Sequence, residues 1–180
     1  MRFALIAATS AAAFTMGTAF AAGFPPVAPQ FKALDVQSGH WLYHGTTSFD
    51  GKPGTFTWDE HCSWSSNKLF LNCSFDNDWS GDKVQSEVVD SWNAKDQAYW
   101  HYEFYAVGGG GANPFAAKMT IRGNTWTELG EDDDDKGKKS YTRISYVYTS
   151  PTAVKVKLEV SPDQKQWKTV LDGSGVKQPN

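Results

Sequence analysis

The sequence predicts an all-β fold: an antiparallel up-and-down barrel of calycin type, with about ten strands and a short N-terminal helix. Three observations lead there. From residue 39 onward the chain breaks into short segments that alternate apolar and polar side chains, and none carries a helical period. Turn signals separate these segments at short intervals: Asp50-Gly51-Lys52-Pro53, Asn77-Asp78, Asn93 to Asp96, Gly108 to Asn113, Gly123-Asn124 and Ser150-Pro151. No connection is long enough for a crossover, so successive strands pair as hairpins, which favours a barrel over a sandwich.

The first 21 residues have a basic start at Arg2, an Ala-rich apolar body, and Ala19-Phe20-Ala21 as a small-x-small cleavage site, the pattern of a secretory signal peptide. The expected organisation is therefore a signal peptide over 1–21, a lead-in with a short helix over 22–38, and a single barrel domain over 39–180. Without Arg2, 16 basic face 20 acidic side chains, a net charge of −4 spread along the chain. That balance gives no support to nucleic-acid binding or to an anionic membrane surface. The expected location is periplasmic or secreted, with no membrane association after cleavage. All eight Trp fall beyond the signal segment, enough aromatic volume for a sizeable core or a lined cavity.

Prolines at 25, 26 and 29 keep the lead-in extended. Residues 29–36 then make about two turns of helix, with Phe31, Leu34 and Ala33 on one face. Ser38 to Gly45 alternates as the first strand, and the others are expected near 54–64, 68–76, 84–93, 97–107, 115–122, 124–130, 139–149, 152–161 and 165–177. The second and third form a hairpin that carries both cysteines. With Asn67 and Lys68 as a two-residue loop, Trp64 faces Leu71, Cys62 faces Cys73 and Glu60 faces Phe75. Opposed Cβ atoms about 4.5 to 5.5 Å apart allow a disulfide; two buried free thiols are the alternative reading. Alternation points Trp41, Tyr43, Trp58, Glu60, Val88, Asp90 and Trp92 inward. In strand 97–107 the more apolar parity is Trp100, Tyr102 and Phe104, but Tyr99 and Tyr105 share the other face with His101 and Glu103, so both faces are aromatic.

The runs Leu34-Asp35-x-x-x-Gly39-x-Trp41, Thr57-Trp58-Asp59-Glu60-x-Cys62, Tyr141-Thr-Arg143-Ile144 and Ser161-Pro-Asp-x-Lys165-x-Trp167-Lys-Thr169 resemble a bacterial domain-of-unknown-function family, number 1579, whose members are similar to calycin barrels. The resemblance spans the chain after the signal segment and implies a fold rather than an activity. The Gly39-x-Trp41 start is also similar to lipocalins, in which this Trp plugs the closed end against an Arg of the last strand. Here that strand offers Lys165, Lys168 and Lys177 instead.

Carboxylates on an inward parity need partners or a raised pKa. Glu60 and Asp90, with Tyr43, Trp58, Trp100 and Tyr102, are the candidate lining of a cavity for a small apolar or aromatic ligand; the other reading places both acids near the barrel rim, or bonded to neighbouring hydroxyls, with no ligand. An enzyme using Glu60 or Asp90 as acid or base, and a partner surface marked by Tyr99 and Tyr105, are the alternative functions. No catalytic constellation is recognisable, and no metal site or cofactor is expected. His40 and His44 share a strand face roughly 13 Å apart, and His40, His44 and His61 fall on the solvent parity. The run from Glu131 to Lys139 lacks the Gly and Glu that an EF-hand loop requires, and Gly108 to Gly111 lacks a phosphate-loop Lys but could form a lid at the barrel mouth.

Overall fold

A computed structural model describes residues 27–48, 51–107, 112–133 and 138–179. A 3₁₀ helix over Pro29–Val36 precedes ten strands: β1 (Gly39–Thr47), β2 (Gly54–Trp64), β3 (Leu71–Trp79), β4 (Asp82–Asn93), β5 (Ala98–Val107), β6 (Ala112–Arg122), β7 (Thr125–Asp133), β8 (Lys139–Ser150), β9 (Ala153–Ser161) and β10 (Lys168–Lys177). Each strand pairs antiparallel with its chain neighbours, and β10 returns to β1, so the sheet closes into a barrel. The expected signal segment, the Gly108–Gly111 loop and residues 134–137 of the acidic run lie outside the described residues.

The cysteine hairpin keeps the expected register: Trp64 opposite Leu71, Cys62 opposite Cys73, Glu60 opposite Phe75. Cys62 and Cys73 are joined in a disulfide. The turn, however, is wider than two residues. Ser65 and Phe70 close it through the Ser65 amide and the Phe70 carbonyl, and the left-handed residue is Lys68 (φ 59°), not Asn67. Asn67 Oδ1 accepts from the Leu69 amide, and the third strand therefore begins at Leu71 rather than 68. That strand also runs through Asn77-Asp78, expected as a turn, to reverse at Ser80 (φ 56°) and Gly81 (φ 103°), where two positive φ angles match the strand twist. The last strand begins at Lys168 rather than 165, because Asp163 Oδ1 accepts from the Lys165 and Gln166 amides and holds a turn there.

The helix stops one end of the barrel. Phe31 and Leu34 are buried beneath it, and strand side chains pin its backbone or flank. Tyr99 donates to the Gln30 carbonyl (2.8 Å), Trp64 to Asp35 (3.0 Å) and Trp41 to the Gln37 carbonyl (2.9 Å). Lys177 Nζ lies 5.5 Å from the centre of the Trp41 ring and donates to the Val36 carbonyl. A lysine of the last strand thus serves where the lipocalin likeness implies an arginine. Trp41, Leu71, Met119 and Trp126 pack at this end without solvent contact or nearly so. The opposite end, where β1 meets β2 and β5 meets β6, has no helix across it among the described residues.

Candidate functional site

Above this packed floor the barrel interior turns polar. Strand parity brings Glu60 (β2), Asp90 (β4), His101 and Glu103 (β5) and Glu128 (β7) to one level, with Tyr43, Tyr146 and Tyr148 around them. Glu60, Asp90, His101 and Glu128 are all buried. Asp90 and His101 are directly opposed across β4 and β5, and their side chains meet at 3.0 Å between Oδ1 and Nδ1. Glu128 Oε1 lies 3.7 Å from the same Nδ1. On the other side of the imidazole, Glu103 Oε2 is 3.9 Å from Nε2, an ion-pair distance too long for a hydrogen bond. Glu60 Oε1 accepts from Gln37 Nε2 at 2.7 Å, which ties the cluster to the end of the helix. The same oxygen lies 2.9 Å from Cys62 Sγ; an oxidised sulfur has no proton to donate, so this is a packing contact.

So many acids in a buried interior compete for protons. Burial pushes both the Glu60 and the Glu128 carboxyl up to about 7. Gln37 and Tyr43 partly offset this for Glu60, as His101 does for Glu128, while neighbouring carboxylates, Asp90 first, push each further up. Burial alone would lower the His101 pKa, but Glu128, Asp90 and Glu103 overcome it and hold the imidazole proton well above its ordinary range. Burial raises Glu103 as well, and its contact with His101 more than reverses that. The hydroxyls of Tyr43, Tyr146 and Tyr148 are raised, chiefly by burial and then by the acids around them. Tyr43 and Glu60 perturb each other, the acid raising the phenol and the phenol lowering the acid.

Several buried polar atoms here lack a hydrogen-bond partner: Asp90 Oδ2, Glu128 Oε2, His101 Nε2, Tyr43 Oη, Trp58 Nε1 and Asn77 Oδ1. Three of these residues, Trp58, Asn77 and His101, line a cavity of about 80 Å³ together with Phe75, Glu103 and Tyr146, among others. It lies on the side of the cluster away from the helix, below the end of the barrel that the helix does not cover.

Of the residues singled out in the sequence, Tyr43, Trp58, Glu60 and Asp90 come together inside the barrel; neither acid is at the rim. Trp100 and Tyr102 do not join them. Their rings stack outside the sheet, with centroids 5.6 Å apart and planes at 12°, Lys118 Nζ lies over Trp100, and Tyr102 and Phe104 are exposed. The interior parity of β5 belongs instead to Tyr99, His101 and Glu103. Tyr99 is buried and Tyr105 half-buried, so the exposed aromatics of this strand are Tyr102 and Phe104, not the expected pair. Glu128 could have been placed from its own strand, where it shares a parity with Trp126. His101 was hidden by the double aromatic pattern around it.

The fold therefore defines a closed ten-stranded antiparallel barrel with a buried acid–imidazole cluster. No family model matches the chain, and no curated protein matches it. Among solved structures it is similar to Rv2717c from M. tuberculosis, with a TM-score of 0.59 and 13% identity over 85% of this chain and 99% of that one. At that identity the likeness shows the fold alone.

Proposed function

We propose that the protein is a binding module that holds a compact amphiphilic molecule inside the barrel. The observation that carries this reading is that Trp58 Nε1, His101 Nε2 and Asn77 Oδ1, all buried without a partner, belong to residues that line one cavity, since buried polar groups in folded proteins are almost always satisfied. Asn77 Oδ1 calls for a hydrogen-bond donor, Trp58 Nε1 for an acceptor, and the walls of Trp58 and Phe75 for a short apolar body. Size favours a ligand of a few heavy atoms: the cavity, about 80 Å³, is far below the roughly 300–1,000 Å³ of drug-sized sites. The disulfide is consistent with an oxidising compartment, and no described helix is long and apolar enough to cross a membrane. The disulfide fits the expected periplasmic or secreted location.

Native mass spectrometry of the protein purified from its own source tests this. A copurifying small molecule that is lost in Trp58→Phe or Asn77→Ala, changes at two residues lining the cavity, supports the reading. A wild-type protein carrying only water, or a ligand bound equally well by both variants, overturns it. A second reading, acid–base turnover of that ligand, is favoured by Glu128, whose carboxyl ionises near neutrality beside His101, itself a residue of the cavity wall. It requires product formation that Glu128→Gln abolishes while binding persists.

A further inference from the structure

On the outer wall, two histidines distant in sequence meet. His40 on β1 and His61 on β2 are directly opposed, and their imidazoles stack with centroids 4.0 Å apart at 17°. Both aim Nε2 at one atom. Asp59 Oδ1 lies 2.8 Å from His40 Nε2 and 3.1 Å from His61 Nε2, and the ligand atoms of the three residues all lie within 4.8 Å of one another. We propose that His40, Asp59 and His61 form a binding site for a borderline divalent cation such as Zn²⁺ or Cu²⁺.

The chemistry follows from the donors. With both Nε2 atoms protonated, two N–H groups converge on one carboxylate oxygen. With those protons released, the same atoms present two imidazole lone pairs and a carboxylate to one point. Two nitrogens and an oxygen suit Zn²⁺ at bond lengths of about 2.0–2.2 Å, and imidazole equally suits Cu²⁺, which the same donors bind more tightly. The rings project from adjacent strands of a closed sheet, so little ordering is needed on binding. The remaining coordination positions face solvent, since the side chains of His61 and Asp59 are 59% and 46% exposed.

A second feature of the wall favours a cation there. Across β2 and β3, Asp59 is directly opposed to Asp76, a like-charge pairing that destabilises a sheet unless something neutralises it. Asp59, Asp76 and Asp78 also border one open groove, in which Lys83 already pairs with Asp78. The solvent parity read from the sequence for His40 and His61 is retained; what the parity did not convey is that β1 and β2 bring them side by side. The described residues contain one other grouping of possible donors, Glu60 with Cys62 and Cys73, but there both sulfurs are consumed in the disulfide. The outer-wall inference is independent of the interior reading, because these three side chains, one on β1 and two on β2, lie on the opposite face of the sheet from Glu60.

Isothermal titration of the untagged, chelator-treated protein with Zn²⁺ at pH 7.5 tests the site. One equivalent is expected to bind at micromolar concentration. His40→Ala and His61→Ala should each weaken it by more than the roughly 10–100-fold that loss of an outer-shell partner costs a metal site. His44→Ala, on the same outer face of β1, should leave binding unchanged. Absence of saturable binding in the wild type, or binding that survives the His40→Ala/His61→Ala double change, overturns the proposal. Circular dichroism of the same variants confirms that they fold, as expected for surface positions.

Discussion

At pH 7.5 the Glu128→Gln protein is expected to resist heat better than the wild type, while at pH 5 most of that difference should be gone. The wild-type carboxyl is held at about 7 in the fold, against an ordinary 4.5. Between those values the folded chain keeps a proton that the unfolded chain has released, so stability falls as pH rises and levels off above 7. At about 1.4 kcal/mol per pH unit, the loss sums to about 3 kcal/mol. His101 acts in the same direction. Its folded pKa is raised, so its contribution is complete below its ordinary range and disappears as pH climbs through the folded value. Glu103, Asp78 and Asp163 are lowered and act oppositely, stabilising above the ordinary carboxylate range and losing that effect as pH falls. The groups facing Glu128 are His101, Asp90, Glu103 and Glu60, with Tyr146 and Tyr148 beyond. Gln fills the same volume without the charge, and it also removes one of the carboxylates that hold the His101 proton, which flattens the slope further. For a domain of this size about 3 kcal/mol corresponds to roughly 6–12 °C in Tm. Differential scanning calorimetry at pH 5, 6, 7 and 8 reads the effect. A wild-type Tm that stays level across the range, or a Glu128→Gln profile falling in parallel with it, would refute the assignment of Glu128 as the buried proton acceptor.

Two further perturbations probe the wall around the cluster. Replacing both cysteines by serine should lower the unfolding free energy by about 3 kcal/mol for a ring of this length, read as a lower urea midpoint that reduced wild type reproduces; equal midpoints for oxidised wild type and variant would exclude a stabilising role for the bridge. Gly173→Ala should cost about 1–3 kcal/mol by overpacking, because a Cβ there would sit 2.5 Å from the His44 carbonyl oxygen and 2.6 Å from Phe56 Cζ. One of these atoms is backbone and cannot retreat, so an unchanged melting curve would contradict the close approach of β1 and β10.

The fold was legible because alternation and turn chemistry are local. The β2 limits, the cysteine register and the helix over Pro29–Val36 all follow from neighbouring residues. Errors arose where two local signals competed. Asn77-Asp78 reads as a turn, yet Asn77 is an interior position whose Nδ2 donates to Ser86, and the reversal is deferred to Ser80-Gly81. In β5, Trp100 and Tyr102 outweighed His101 and Glu103 in apolarity, although stacked rings beside Lys118 are satisfied on an outer wall. Half of the interior cluster was legible for the same reason: Glu60 and Asp90 lie between unambiguous apolar neighbours, whereas His101 does not. That Asp90, His101 and Glu128 meet, or that His40 meets His61, depends on register and barrel closure across strands, which no single segment encodes.

The seam between β1 and β10 has a kinetic consequence. The first strand to be made must wait for the last, because Trp41 pairs with Lys177 and Thr47 with Leu171, while the helix end is held by Lys177 at the final residue of β10. Such distant pairings slow folding. Until they form, β1 presents an open edge able to pair with another chain. Lys168–Lys177 is thus a latch: a chain cut before it would keep most of its hairpins and disulfide, but would expose two unpaired edges and leave the floor under Trp41 without its cation. Aggregation rather than simple loss of stability is the expected failure of such a fragment.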